Sequence, residues 1–151
     1  SESDIYNYVL IHRSMRKKIF LLDDNTAAFE RSIEHLETRY EVMRCKDIIS
    51  AIRRIQIRKY DCIIIDLMMP TRGLEIKDEF KAGFNFYLEQ VKRHQSNVPV
   101  LFWSNLSDAS FIQFKESHPD TCSLLHFLHK TDDIYELEST VTEILNDDEK
   151  N

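Results

Sequence analysis

Groups suited to phosphate or metal chemistry follow several apolar runs of this sequence. Residues 62–65 form a continuous run rich in β-branched side chains and too short for a buried helix, which predicts a central strand covered on both faces. Asp66 follows this run directly, and Pro70 prevents the strand from continuing. Comparable groups follow three other predicted strands: Asp23 and Asp24 after residues 19–22, Ser104 after residues 98–103, and Lys130 after residues 124–129.

These groups favour one kind of chemistry if the strands are parallel, because parallel strands present their carboxyl ends at one edge of the sheet. Three neighbouring carboxylates repel one another unless a cation lies among them, and hard oxygen ligands favour Mg²⁺. A lysine ammonium and a serine hydroxyl bind phosphoryl oxygens, and an aspartate can form an acyl phosphate. The residues therefore predict Mg²⁺-dependent phosphoryl chemistry on an aspartate.

The elements between these strands are predicted to be helices, with one further strand at residues 41–45. Apolar residues recur at helical spacing in five segments: Phe29, Ile33, Leu36 and Tyr40 after a cap at Asn25 or Thr26; Ile48, Ile52 and Ile55 after a cap at Asp47; Phe84, Tyr87, Leu88 and Val91, ending near His94; Phe111, Ile112 and Phe114 after a cap at Ser107 or Asp108; and Ile134, Leu137, Val141 and Ile144 after a cap at Asp132 or Asp133. Five strands alternating with five helices predict one α/β domain with a parallel sheet between helices.

Composition narrows the class of protein. The 151 residues carry a formal net charge of −6, which argues against a general nucleic-acid binder. No apolar stretch approaches membrane-spanning length, so we expect neither nucleic acid nor membrane as a partner of this domain. The three scattered cysteines, Cys45, Cys62 and Cys122, suit reduced thiols in a cytoplasmic protein. The two glycines, Gly73 and Gly83, are too few for the glycine-rich loops that cradle phosphates.

The domain is expected to span residues 16–146. Residues 1–15 form a poorly patterned extension, in which Tyr8 to Ile11 either adds a short strand or packs on the surface and Met15 is a candidate natural start. Residues 147–151 are an acidic tail expected to fray. The charged stretch from Thr71 to Ala82 is long for a connection in a compact domain, so it is either functional or a surface insertion.

The ordered set of motifs resembles the receiver domain of bacterial two-component response regulators over roughly residues 16–146. It consists of Asp23-Asp24 after the first strand, residues 66–70 (DLMMP) after the third, Ser104 after the fourth, and residues 127–130 (FLHK) at the fifth. The resemblance implies a flavodoxin-like (CheY-like) five-stranded parallel sheet in the order 2-1-3-4-5 with helices on both faces. It also implies that Asp66 accepts a phosphoryl group from a histidine kinase or a phosphotransfer protein.

The resemblance assigns a role to each acid. Asp24 and Asp66 would hold Mg²⁺ together with the backbone oxygen of Met68, while Asp23 would act on the metal mainly through water. The domain would catalyse its own phosphorylation and dephosphorylation rather than turn over a substrate as an enzyme does.

The resemblance also implies catalytic roles for Lys130 and Ser104 beside Asp66, and a switch formed by Ser104 and Phe127. Lys130 would pair with the phosphoryl group or with Asp66, and Ser104 would hydrogen-bond the phosphate. Phe127 would be the switch aromatic, which turns inward when Ser104 is drawn toward the phosphate. The fourth helix, fifth strand and fifth helix would then bind a downstream protein effector or a second copy of the chain.

Three features depart from the receiver pattern. Thr131 follows Lys130 where the family usually has proline, so we expect a trans peptide bond there. Asn105 stands after the switch hydroxyl where the family usually has a small residue, and it is expected to narrow access to Asp66. The third departure is the insertion that starts at Thr71.

Three other functions compete with this interpretation. A pseudo-receiver would keep the fold as an interaction module without being phosphorylated. A haloacid-dehalogenase-like phosphatase needs a second aspartate two residues after the first, where this chain has Met68. A zinc site formed by Cys122, His126 and His129 is disfavoured because histidines three apart on a strand point to opposite faces.

Overall fold

The structure is a computed structural model that describes residues 1–69 and 82–146, apart from the side chains of residues 11–14 and 122. Pro70, the insertion between Thr71 and residue 81, and the tail at residues 147–151 lie outside the described residues. Within the described part, the strands are β1 (Lys18–Leu22), β2 (Glu41–Cys45), β3 (Cys62–Ile65), β4 (Val100–Ser104) and β5 (Leu125–His129). The helices are α1 (Glu2–Ser14), α2 (Glu30–Glu37), α3 (Ile48–Ile57), α4 (82–94), α5 (Ala109–Ser117) and α6 (Glu136–Leu145).

The five strands form one parallel sheet in the order β2-β1-β3-β4-β5. In its centre, Ile65 of β3 is paired with Leu22 of β1 on one side and with Phe102 of β4 on the other. Phe102 is in turn paired with Phe127 of the edge strand β5. The predicted fold, with its strand order 2-1-3-4-5, is confirmed.

Helices cover both faces of the sheet because alternate side chains of the central strands point to opposite sides. Ile63 and Ile65 pack in a layer with α3, α4 and α5. Cys62 and Ile64 pack in a second layer with α2 and α6. All four side chains are fully buried, as the unbroken apolar run predicts for a central strand.

Some element boundaries differ from the predictions. Tyr8 to Ile11 belong to helix α1, so the suggested short strand is wrong. The fourth strand starts at Val100, since Pro99 has no N–H with which to extend the ladder. The last helix starts at Glu136 rather than near Asp133. Asp133 Oδ1 instead accepts a 3.0 Å hydrogen bond from the Tyr135 N–H in a local turn that precedes the helix.

Two helices have features that matter for the fold. The Asp47 side chain caps α3, as predicted, by accepting a 2.7 Å hydrogen bond from the Ser50 N–H. Helix α4 contains a π-helical turn at Tyr87–Val91, which the apolar spacing does not reveal. No helix in the described part of the chain is long and apolar enough to cross a lipid bilayer.

Candidate functional site

Backbone hydrogen bonds carry the sheet ladder one step past the strands and place the predicted groups at its carboxyl edge. The Asp66 N–H donates to the Leu22 carbonyl oxygen at 2.9 Å, and the Lys130 N–H donates to the Ser104 carbonyl oxygen at 2.9 Å. The Asp23 N–H likewise donates to the carbonyl oxygen of Cys45 at 3.0 Å. The strands therefore fix the backbone positions of Asp23, Asp66 and Lys130, and with them the points from which these side chains extend.

The Lys130 ammonium is at the centre of this group. Its Nζ lies 2.6 Å from Asp23 Oδ2 and 3.5 Å from Asp66 Oδ2. The side chains of Lys130 and Asp23 are only 2% and 0% exposed, and that of Asp66 is 11% exposed. The sequence predicted that Lys130 would approach Asp66 or a phosphoryl group, whereas the closer carboxylate is that of Asp23.

Asp23, Asp24 and Asp66 form a carboxylate cluster whose candidate ligand oxygens all lie within 4.8 Å of one another. Burial raises the pKa of Asp66 to about 6, an effect that the Lys130 ammonium opposes and the Asp23 carboxylate reinforces. A carboxylate with this pKa remains largely ionised at neutral pH and is therefore available to act as a nucleophile or a ligand.

Backbone N–H groups of the loops that follow β1 and β3 hydrogen-bond two of these carboxylates. The Met68 N–H donates to Asp66 Oδ1 at 3.2 Å, and the Asn25 N–H donates to Asp23 Oδ1 at 3.0 Å. Each carboxylate thus has one oxygen held by the loop that follows its own strand, while the other oxygen faces Lys130.

A cleft of about 230 Å³ opens at the cluster. It is lined by carboxylates, amide and hydroxyl groups and thioethers from four strand ends: Asp24, Asn25, Asp66, Met68, Met69, Ser104, Asn105, Leu106 and Lys130. Asn105 and Met68 are exposed at this cleft, and Asp66 is reached through it. A group the size of a phosphate fits in this volume.

The two residues predicted to form a switch lie at β4 and β5. Ser104 is buried, and its hydroxyl oxygen accepts a 3.2 Å hydrogen bond from the Leu106 N–H. The Phe127 ring is stacked on Phe111 of α5, with centroids 5.5 Å apart and an interplanar angle of 23°. The Lys130–Thr131 bond is trans, as predicted, since the described residues contain no cis peptide bond.

Two aromatic residues that the sequence did not assign to the site also approach Lys130. Its Nζ lies over the Trp103 ring at 4.8 Å from the centroid and over the Phe29 ring at 5.3 Å. The sequence placed Phe29 on the apolar face of a helix and Trp103 in a strand. Because the two come from different elements, only the folded structure shows that both face the same ammonium.

The alternative zinc site finds no support among the described residues. His126 and His129 are not part of a group of potential metal ligands there, and the side chain of Cys122 is not described. Cys45 and Cys62 are buried free thiols, and burial raises the pKa of Cys62 to about 12. A thiol with that pKa is neither a ready ligand nor a nucleophile.

Comparisons with known proteins give one sequence relative. No protein-family model matches the chain. It is 27% identical over 136 residues to the transcriptional regulatory protein CrdR of Helicobacter pylori, a match that covers 89% of this chain and 57% of that protein. The chain therefore spans little more than half the length of the curated relative that it matches.

Solved structures resemble it over most of its length. The CheY-like response regulator receiver domain protein of Methanospirillum hungatei JF-1 has a TM-score of 0.67 at 17% identity, and the match covers 87% of this chain and 95% of that one. The response regulator protein TrrA of Thermotoga maritima, solved in complex with Mg(2+)-BeF, has a TM-score of 0.63 at 20% identity, with 85% and 98% covered. The chain has the fold of the receiver domains of response regulators.

Proposed function

We propose that this chain is a phosphoacceptor receiver domain of a two-component response regulator. In this proposal Asp66 takes a phosphoryl group from a histidine kinase or a phosphotransfer protein. The observation that carries it is the site itself: an ionisable carboxylate at the mouth of a cleft, with a second carboxylate and a buried ammonium within hydrogen-bonding distance of one another. The fold shared with receiver domains supports the same conclusion.

The transfer step assigned to Asp66 is a displacement at phosphorus. An Asp66 carboxylate oxygen attacks the phosphorus of the donor, a new P–O bond forms, and the bond from phosphorus to the donor nitrogen or oxygen breaks. The leaving group departs with the electron pair and takes a proton from solvent. Phosphoryl transfer depends mainly on positioning and charge neutralisation, and Lys130 supplies a positive charge beside the attacking carboxylate.

The donor set at the site fits Mg²⁺. All the candidate ligands are oxygens, Asp24 is exposed at the cleft while Asp66 is buried beside it, and burial among carboxylates raises the pKa of Asp66. Asp24 and Asp66 would bind the ion with the backbone oxygen of Met68, and Asp23 would contribute mainly through water. When bound, Mg²⁺ neutralises the charge of the carboxylates and of the phosphoryl oxygens.

The proposed output is a change of a protein-binding surface rather than turnover of a substrate. Phosphorylation adds roughly two negative charges next to Ser104. Movement of Ser104 toward these charges would let Phe127 turn inward and alter the face made by α5, β5 and α6. That face would bind a downstream effector or a second copy of the chain, in the cytoplasm, where the free thiols Cys45 and Cys62 stay reduced.

Acetyl phosphate provides a direct test. The protein is incubated with acetyl phosphate and Mg²⁺, and its intact mass is compared with that of Asp66→Asn and of Asp108→Asn, a control that removes an exposed carboxylate at the start of α5. We expect one phosphoryl adduct in the wild type and in Asp108→Asn, none in Asp66→Asn, and none after chelation of Mg²⁺. An equal adduct in Asp66→Asn rejects the assignment, and no adduct in any protein leaves the pseudo-receiver as the better interpretation.

A further inference from the structure

Lys130 has an unusual set of neighbours for a buried lysine. Besides the carboxylates of Asp23 and Asp66, the faces of Trp103 and Phe29 lie 4.8 Å and 5.3 Å from its ammonium nitrogen. The two rings contact each other edge to face, with centroids 5.8 Å apart and an interplanar angle of 68°. The ammonium therefore faces two anions and two aromatic rings.

The physical consequence follows from burial. The Lys130 side chain is 2% exposed, so water does little to solvate its charge. An ammonium over an aromatic face is attracted by the negative face of the ring, and this attraction grows when the charge is desolvated. Trp103 is itself only 2% exposed, and its backbone belongs to strand β4. Its ring therefore cannot easily move away from the ammonium.

We propose that Phe29 and Trp103 form an aromatic clamp that positions the Lys130 ammonium between Asp23 and Asp66. The inference rests on the proposed function for its catalytic consequence: a clamped ammonium is already in place when the phosphoryl group arrives at Asp66. The rings touch neither donor nor phosphoryl group, so they are positioning residues. They act by restricting a flexible four-carbon side chain to one region of the site.

The clamp itself is tested by nuclear magnetic resonance, without any phosphoryl donor. Protons held over an aromatic face are displaced upfield, so the ε-methylene resonance of Lys130 in protein labelled at lysine should lie upfield of those of lysines that face no ring. Lys115, whose Nζ lies over the single ring of Phe111 at 5.2 Å from the centroid, should show a smaller displacement. The absence of the Lys130 resonance from Lys130→Met assigns it. The displacement should shrink in Phe29→Leu and in Trp103→Leu, and persist in Trp103→Phe, which keeps a ring.

The positioning role is tested by the initial rate of phosphorylation with acetyl phosphate and Mg²⁺. We expect a roughly tenfold slower rate in Trp103→Leu, about threefold slower in Phe29→Leu, and a rate near that of the wild type in Trp103→Phe. Phe114→Leu is the matched control, because it removes a buried ring from the opposite layer of the core. It should keep the wild-type rate at a temperature at which every variant is folded.

The two measurements separate the clamp from the proposed function. A Lys130 resonance that is not displaced in the wild type, or is unchanged in Trp103→Leu, overturns the clamp whether or not the protein accepts phosphate. Equal rates in Trp103→Leu and Phe114→Leu overturn the positioning role. A resonance that is displaced in the wild type and moves back in both leucine variants supports the clamp, even if the wild type takes no phosphoryl group. Failure of the wild type to take a phosphoryl group would reject the proposed function but not the clamp.

Discussion

Gly83, the second residue of α4, lies directly against the backbone of Asp66. A β-carbon added at Gly83 would come within 2.6 Å of the Asp66 carbonyl oxygen and 2.8 Å of the Leu67 α-carbon. The Gly83 N–H also donates a 3.0 Å hydrogen bond to the carbonyl oxygen of Leu67. The start of α4 and the loop that carries the proposed phosphoacceptor are therefore one packed unit.

Replacing this glycine by alanine tests the close approach, because the sign of the change in the free energy of unfolding distinguishes a crowded position from an unhindered one. Glycine to alanine in an unhindered helix stabilises a protein by up to about 1 kcal/mol. At Gly83 the clash with rigid backbone should instead destabilise the fold by about 1–3 kcal/mol and slow the phosphorylation of Asp66. Urea unfolding and intact-mass time courses of Gly83→Ala measure both, and a stabilised variant would contradict the close approach.

The pKa of Asp66 predicts how stability depends on pH. Burial raises this pKa from an ordinary 3.8 to about 6, so the folded protein binds the proton more tightly than the unfolded chain. The protonated Asp66 therefore adds to the free energy of unfolding. This contribution is fully present below about pH 4 and is lost as pH rises through about 6. Asp66→Asn should therefore be more stable than the wild type at pH 7, by on the order of 1–3 kcal/mol.

Urea unfolding at pH 4, 5, 6 and 7 measures this difference. The difference in free energy of unfolding between Asp66→Asn and the wild type should increase as pH rises from 4 to 7. A gap that is constant across these pH values would mean that Asp66 titrates normally in the folded protein.

Removal of the buried ammonium should be costly. In Lys130→Met, Asp23 and Asp66 lose their shared cation, and breaking a buried pair in this way costs about 3–5 kcal/mol. The loss should be smaller at pH 5 than at pH 7, because Asp66 is then largely protonated. Thermal unfolding at the two pH values provides the measurement.

Lys18→Met is the matched control for that experiment. Lys18 makes a 3.8 Å ion pair with Glu41, and both side chains are about half exposed, so solvent screens the pair. Its removal should change stability by less than about 1 kcal/mol at either pH. Comparable losses in Lys18→Met and Lys130→Met would contradict the central place of Lys130 in the site.

The switch proposed for Ser104 and Phe127 predicts the loss of a specific ring contact. Phosphorylation should separate Phe127 from Phe111, on which it is stacked at 5.5 Å, because the ring would turn inward. Ring resonances of the two phenylalanines, recorded before and after addition of acetyl phosphate and Mg²⁺, report this separation. In Ser104→Ala the adduct should form while the stack stays, and a stack that opens equally in that variant would exclude Ser104 as the link.

Tyr60 offers a test of the core away from the site. Its buried hydroxyl has no hydrogen-bond partner among the described residues, whereas that of Tyr40 lies 2.9 Å from the Thr142 hydroxyl. Tyr60→Phe should therefore be neutral or stabilising, and Tyr40→Phe should destabilise the protein by about 1 kcal/mol. Urea unfolding of the two variants measures the contrast, and equal losses would show that the Tyr60 hydroxyl is satisfied in solution.

The sheet could be predicted from sequence because its signals are local. Residues 62–65 are apolar without interruption, which marks a strand buried on both faces, and Asp66 marks where it ends. The helix boundaries were less predictable, since several residues near Asp133 are able to start a helix and tertiary packing selects Glu136. The π-helical turn in α4 leaves the apolar spacing almost unchanged, so nothing local reveals it.

The sequence predicted which residues come together in the site, but it did not predict which of them form the closest ion pair. Strand ends bring Asp23, Asp66 and Lys130 to one edge in any parallel sheet of this order. Whether Lys130 lies closer to Asp23 or to Asp66 depends on side-chain packing, including the ring of Trp103, which spacing along the chain does not encode.

The position of Trp103 has a practical consequence. It is the single tryptophan of the 151 residues, and its indole lies 4.8 Å from the Lys130 ammonium at the edge of the site. Indole emission responds to nearby charge, so the tryptophan fluorescence of the unlabelled protein originates next to Lys130 and the carboxylates that it faces. Fluorescence titration therefore tests the proposed binding of Mg²⁺ and of a phosphoryl donor, with no dye attached and no tryptophan engineered into the chain.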